Sequence, residues 1–185
     1  MKVLITGASG KVGRMVRRAL AGRHEMRCYD LAPIEACEGE MVVGDILDRP
    51  ALAQAMTGMD ALIHLAYGRE PGAGREVQEL LSFDVNAKGT YYVAQAAAAA
   101  GIRHAVYASS LSLYEGHMPA PGVCFTELEP PLPLHSYALT KYFGEEIFRA
   151  CAAQGLFSVI SLRLTLPTEM EEWEAVRQQH PESGI

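Results

Sequence analysis

Val3-Leu4-Ile5-Thr6-Gly7-Ala8-Ser9-Gly10-Lys11-Val12-Gly13 is the stretch on which the reading of this chain turns. Val3, Leu4 and Ile5 form a short apolar run, suited to a strand covered on both faces. Gly7, Gly10 and Gly13 follow at GxxGxxG spacing. A glycine in a tight turn adopts backbone angles that a side chain forbids. A glycine beside a ligand lets the backbone approach a pyrophosphate, and a third allows the following helix to pack against the strand. The free N–H groups and dipole of that helix's first turn favour bound phosphate. The stretch therefore predicts strand, phosphate-binding turn and helix, with Gly7, Ser9, Gly10, Lys11, Val12 and Gly13 as candidate ligand contacts.

The rest of the chain repeats the strand–helix alternation. Lys11 to Ala21 has helical spacing of Val12, Val16, Ala19 and Leu20, with Gly22 as its stop. Met26 to Asp30 is the second strand, and Asp30 stands 20 residues beyond Gly10. An acid at about that offset hydrogen-bonds an adenosine ribose and repels a 2′-phosphate, which favours NAD over NADP. Leu31 to Glu40 is a loop. Met41 to Val43 is a third strand leading into Gly44-Asp45-Ile46, Arg49 to Thr57 a helix, and Asp60 to Ala66 a fourth strand. His64 inside that strand is expected to be a core histidine bonded to backbone. Gly68 to Gly74 is a loop. Arg75 to Ala100 is one long helical stretch with Leu80, Val85, Tyr92 and Val93 on its buried face, weakened by about 1 kcal/mol at Gly89. His104 to Ser109 is the fifth strand. The proline-rich span from Glu115 to His135 is a long functional loop. Ser136 to Cys151 is a helix, Phe157 to Leu164 the sixth strand, and Glu169 to Gln179 a charged helix. Such alternation predicts a parallel, doubly wound, Rossmann-like sheet in a three-layer α/β/α sandwich, with ligands at the carboxyl ends of its strands.

Tyr137-Ala138-Leu139-Thr140-Lys141 adds chemistry to that edge. Tyr and Lys at i and i+4 share a helix face. A neighbouring ammonium favours phenolate and is expected to lower the Tyr137 pKa, so that Tyr137 can take a proton from an alcohol. Lys141 can also reach ribose hydroxyls, and a serine at the end of strand five can hold the substrate oxygen.

Composition narrows the partners. The 185 residues carry a net charge of −6 and no basic block, which argues against nucleic acid. No apolar run approaches the ~20 residues of a membrane span, and no signal peptide is evident, so a cytoplasmic location is expected. Cys28, Cys37, Cys124 and Cys151 lack CxxC spacing or paired histidines. They are read as reduced structural thiols, and no metal is expected.

Six segments in order carry a family resemblance: Thr6 to Gly13, Gly44-Asp45-Ile46, His64-Leu65-Ala66, Val85-Asn86-Ala87-Lys88-Gly89-Thr90, Ser109-Ser110-Leu111-Ser112-Leu113-Tyr114, and Tyr137 to Lys141. The chain resembles the extended short-chain dehydrogenase/reductases, the NAD-dependent epimerase/dehydratase family. The resemblance implies that Asp45 and Ile46 meet the adenine, and that Leu65 and Ala66 flank the pyrophosphate and ribose. It places Asn86 on the nicotinamide side, Ser110 as the match to the catalytic Ser/Thr, and Pro167 beside the nicotinamide. It implies catalysis by Ser110, Tyr137 and Lys141 supported by Asn86, a sugar-like substrate, and, by analogy, a homodimer.

Two departures bear on function. Leu111 and Ser112 stand where nucleotide-sugar dehydratases usually carry acids, which disfavours dehydration. The 185 residues are expected to lack most of the family's C-terminal substrate domain, and Arg163-Leu164-Thr165-Leu166-Pro167 lacks the Asn and Gly that usually flank the proline. Residues 1–168 are expected to form the NAD-binding domain, and 169–185 a charged segment that begins a substrate region. The readings left open are an NAD-dependent oxidoreductase or epimerase, a fragment of a longer enzyme, and a non-catalytic NAD-binding module.

Overall fold

A computed structural model describes residues 1–68, 72–117 and 126–179. Six parallel strands form one sheet in the order β3-β2-β1-β4-β5-β6: β1 (Lys2–Thr6), β2 (Glu25–Asp30), β3 (Glu40–Val43), β4 (Ala61–His64), β5 (His104–Ser110) and β6 (Ser158–Leu164). The helices are α1 (Lys11–Leu20), α2 (Arg49–Met56), α3 (Arg75–Leu81), α4 (Thr90–Ala99), α5 (Ser136–Ala153) and α6 (Met170–Gln179). This is the expected Rossmann-like, doubly wound sheet. Strand order reverses beside β1, where β2 pairs on one side and β4 on the other.

The apolar run of β1 shows why the sheet is covered twice. Side chains alternate faces along a strand. Leu4 enters one core with Tyr29, Leu52, Leu62, Val93 and Phe148, while Val3 and Ile5 enter a second with Ala8, Met26 and Cys28. Burying Leu4 fully contributes about 2 kcal/mol. Gly13 is the contact that seats α1: a Cβ there would lie 2.5 Å from the Gly7 and Ala8 carbonyl oxygens. Arg17, on α1, is buried. It donates to the Ala8 carbonyl at 3.1 Å and pairs with Glu38, so its charge is compensated inside the fold.

Several elements differ from the sequence reading. Residues 75–100 do not form one uniform helix. A π-helical stretch, Ser82–Gly89, separates α3 from α4. Leu80 is exposed, because among the described residues no core cluster reaches α3, whereas Val85, Tyr92 and Val93 do pack on the core. Gly89 has a packing reason that offsets its propensity cost: a Cβ there would meet Ile46 Cδ1 at 2.6 Å. β4 stops at His64, so Leu65 and Ala66 belong to the turn beyond it. The span after β5 begins as a 3-10 helix, Leu111–His117, rather than a loop. Within the expected loops, Pro71, Pro119 and Pro121 lie outside the described residues, as do Cys124 and the tail 180–185. Cys28, Cys37 and Cys151 are free thiols.

Candidate active site

The carboxyl edge of the sheet gathers the predicted residues in two groups. The first surrounds the glycine turn. Gly7 has φ +72°, and its N–H donates to the Tyr29 carbonyl at 3.0 Å, tying the turn to β2. Gly10 is the N-cap of α1 and offers no side chain to the helix's first amides. A Cβ on Gly10 would find only the Gly7 carbonyl oxygen, at 3.4 Å, so the space in front of that residue is open. Asp30 ends β2, and its carboxylate accepts from Ser9 N at 2.9 Å and Ala32 N at 3.2 Å. It therefore braces the turn as well as facing the edge. Asp45 accepts from Leu47 N at 2.9 Å through its side chain and from the Tyr29 hydroxyl at 2.8 Å through its backbone carbonyl. Ile46 is buried against Gly89. Leu65 N donates to the Thr6 carbonyl, and Ala66 lies against Gly7.

Lys11 is engaged by an element outside the family match. Its ammonium pairs with Glu172 of α6 at 2.6 Å, while Arg14 donates through Nε to Glu169 at 3.0 Å. Both contacts are exposed ion pairs of little energetic weight. Val12 is half-buried on α1. Pro167 lies beyond the carboxyl end of β6, before α6.

The second group is formed by β5, the π-helical stretch and α5. Ser110 ends β5. Its hydroxyl donates to Ser112 Oγ at 3.0 Å and accepts from Ser112 N at 3.2 Å, and it faces the Tyr137 phenol closely enough to favour the phenolate. Lys141 is 3% exposed, and its Nζ donates to the Ala108 carbonyl at 2.8 Å. That Nζ lies 5.9 Å from the Tyr137 ring centre and 5.2 Å from the Tyr107 ring centre. Among the described residues it has one hydrogen-bond acceptor for three donors.

Electrostatics depart from the sequence expectation. Burial lowers the Lys141 pKa to about 8. The Tyr137 pKa is raised, not lowered: burial dominates, the Ser110 hydroxyl opposes it, and Tyr67 adds to it. Spacing alone placed the ammonium beside the phenol, but it did not show that both groups are desolvated and that Ala108 holds the ammonium.

Asn86 is almost fully buried, with both ends of its amide engaged. Its Oδ1 accepts from Gly68 N at 2.8 Å, and its Nδ2 donates to Thr140 Oγ1 at 3.2 Å. It fastens the turn after β4 to α5. His64 is the expected core histidine, but its partners are two hydroxyls, Thr6 Oγ1 at 2.6 Å and Thr90 Oγ1 at 2.9 Å. Burial, with the Lys141 charge second, lowers its pKa to about 3.

Sequence reasoning missed two sets of residues here. His135 caps α5 and stacks on Tyr137, while Tyr67 meets the same ring edge-on at 6.5 Å. On β6, Arg163 holds Glu145 of α5 through two bonds of 2.9 and 2.7 Å, and also contacts Tyr114. The eight-residue spacing from Tyr137 to Glu145 puts them near one helix face, a signal available in the sequence; the Arg163 partnership was not.

A parallel sheet with a strand-order reversal at a glycine turn, and a Ser–Tyr–Lys cluster along the same edge, define a nucleotide-binding fold of the short-chain dehydrogenase/reductase kind. The chain belongs to the NAD dependent epimerase/dehydratase family, whose model matches residues 3–168. It is 32% identical over 176 residues to L-arabinose 1-dehydrogenase (NAD(P)(+)) of Haloferax volcanii, a match covering 88% of this chain and 66% of that protein. It is 27% identical to uronate dehydrogenase of Pseudomonas putida, over 79% of this chain and 53% of the relative. Among solved structures, a short-chain dehydrogenase/reductase superfamily protein from Agrobacterium tumefaciens with bound NAD matches at 36% identity and a TM-score of 0.78. That alignment covers 88% of this chain and 48% of the other. The chain thus spans only about half to two thirds of these relatives.

Proposed function

We propose that this chain forms the cofactor-binding and proton-transfer part of an NAD-dependent oxidoreductase or epimerase acting on a hydroxyl of a sugar or related polar metabolite. The observation that carries this reading is the cluster of Ser110, Tyr137 and Lys141. Two hydroxyls face each other from β5 and α5 beside a buried ammonium with free donors, at the edge where the glycine turn opens.

The residues present fit NAD. The open space at Gly10 and the uncapped amides of α1 suit a pyrophosphate. Asp30 at the end of β2 suits the adenosine ribose diol, with Asp45 and Ile46 towards the adenine and Leu65 and Ala66 along the phosphates. The free donors of Lys141 suit the second ribose, on the side towards Asn86 and Pro167. When bound, NAD supplies the hydride acceptor and a cationic ring. Ser110 holds the substrate oxygen, and Tyr137 accepts its proton once the phenolate is favoured. Lys141 anchors that face of the site, and Asn86 keeps the turn after β4 against α5. We assign residues 1–168 to this unit and 169–179 to the start of a following segment. The exposed Phe83, Tyr91 and Phe143 beside a groove of about 730 Å³ between α4 and α5 support a homodimer through that face. Among the described residues no helix is long and apolar enough to cross a membrane, and we place the protein in the cytoplasm.

The test is a scan of aldoses, uronic acids and polyols with NAD, followed by NADH absorbance. Turnover abolished in Tyr137→Phe, with NAD affinity retained, supports the enzyme. NAD binding with no turnover of any substrate supports a binding module instead.

A further inference from the structure

His135 touches the site from three directions. Its Nδ1 accepts a hydrogen bond from Ala138 N at 3.2 Å, capping α5 one turn before the tyrosine–lysine face. Its Nε2 lies 2.8 Å from Glu115 Oε2. Its ring runs alongside that of Tyr137, with centres 6.1 Å apart and planes 17° from parallel. The first two contacts fix the tautomer: a nitrogen that accepts from a backbone amide leaves the proton on the other, which donates to the carboxylate.

Glu115 belongs to the 3-10 segment Leu111–His117, which leaves directly from Ser110. The imidazole therefore bridges the element that carries Ser110 to the helix that carries Tyr137, with its ring beside and near-parallel to the tyrosine ring. A helix cap requires only the Nδ1 contact. The near-parallel ring and the link to Glu115 are additional, and they join Tyr137 to the segment that follows Ser110.

We propose that His135 is a positioning residue for Tyr137: stacked on the phenol and tethered to Glu115, it holds the ring against Ser110 and shields it from water. This rests on the catalytic reading of Tyr137, but its structural content does not. The other groups facing the phenol are Ser110, Tyr67, Tyr107 and, beneath the ring, Lys141.

Three variants of the full chain separate capping from positioning. His135→Asn keeps a strong N-cap acceptor and loses the ring. His135→Phe keeps a ring and loses the cap and the tether. Glu115→Gln keeps an acceptor for the tether without its charge. The Tyr137 titration is read as the difference in tyrosinate ultraviolet absorbance between each protein and the same protein carrying Tyr137→Phe. Removing the ring hydrates the phenol, so His135→Asn lowers the titration midpoint by about 0.5 pH, with Tm unchanged. With L-arabinose and NAD as probes, it lowers kcat about tenfold and moves the KM for NAD less than twofold. His135→Phe keeps the ring without its tether, so it also falls between wild type and His135→Asn in midpoint, and it lowers Tm. Glu115→Gln falls between wild type and His135→Asn in midpoint. An unchanged midpoint in His135→Asn overturns the proposal and leaves His135 as a cap. If the wild type turns over no sugar, the titration alone decides the role of His135, and only the catalytic reading falls.

Discussion

Gly7 and Gly10 stand three residues apart in one turn, yet they should fail in opposite ways when replaced by alanine. At Gly7 the backbone has φ +72°, a region that costs an L-residue about 1–2 kcal/mol. The added Cβ would also meet Ala66 N at 2.5 Å, with Ala66 Cα and the Leu65 carbonyl carbon each at 2.7 Å. All three are backbone atoms of the turn after β4 and have no side-chain rotamer to relax into. Overpacking of that kind costs about 1–3 kcal/mol. Gly7→Ala should therefore lose about 2–5 kcal/mol, a large share of the 5–15 typical of a domain. At Gly10 the nearest atom is 3.4 Å away and φ is −66°, so the methyl fits. The fold loses only the N-cap preference of glycine over alanine, about 1 kcal/mol or less. The methyl instead occupies the space assigned to pyrophosphate, where a steric conflict of about 1–3 kcal/mol weakens NAD roughly 5- to 150-fold. Urea unfolding followed by circular dichroism measures the first effect, and calorimetric titration with NAD the second. Wild-type NAD affinity in Gly10→Ala, or wild-type stability in Gly7→Ala, would refute the division of labour.

Asp30→Ala should weaken NAD more than NADP in paired titrations, because only NADP gains from losing the carboxylate; equal weakening of both would sink the ribose assignment. His64 is buried neutral with its pKa lowered to about 3, so the unfolded chain binds its proton first as acid is added. Stability should then fall by about 2 kcal/mol between pH 7 and pH 5 from this group alone. His64→Gln should lack that part of the slope in urea unfolding at the two pH values. Lys141 has the corresponding sign at alkaline pH. With its pKa lowered to about 8, its contribution rises by roughly 2 kcal/mol from pH 7 to pH 9.5, and Lys141→Met should abolish that rise. Sedimentation velocity checks the dimer face: Phe143→Glu should shift a wild-type dimer to monomer, and a monomeric wild type would refute it.

The parts of this protein most legible in sequence are those set by backbone chemistry. Three glycines, the apolar run of β1 and the regular alternation of strands and helices gave the sheet, because each depends on local sterics or on a single period. The Tyr137–Lys141 spacing was equally legible, since a helix fixes which residues share a face. What escaped depends on long-range packing. Nothing local announces that Ser82–Gly89 takes π-helical geometry, that Gly89 makes room for Ile46, or that Arg17 lies buried against Glu38. The electrostatics escaped for the same reason: a spacing says which charges are neighbours, but not how much water remains around them.

That desolvation also bears on how the site works. Keeping Lys141 buried with its pKa near 8 costs about 3 kcal/mol at pH 7 relative to an exposed lysine. The fold has no evident need of that ammonium, since its one bond, to the Ala108 carbonyl, could be replaced by water or a neutral donor. A buried amine with spare donors, beneath a phenol whose own pKa is pushed up, is costly as architecture but suitable as half of a proton-transfer site. Among the groups that shift the phenol's pKa, the Ser110 hydroxyl is the one that lowers it, and it acts across the gap between β5 and α5. The residues that keep that gap narrow matter as much as the pair itself. They are Asn86, fastening the turn after β4 to α5; Arg163, fastening β6 to α5 through Glu145; and His135, fastening α5 to the segment after Ser110. All three fasteners end on α5, which makes that helix, rather than the glycine turn alone, the element on which the proposed chemistry depends.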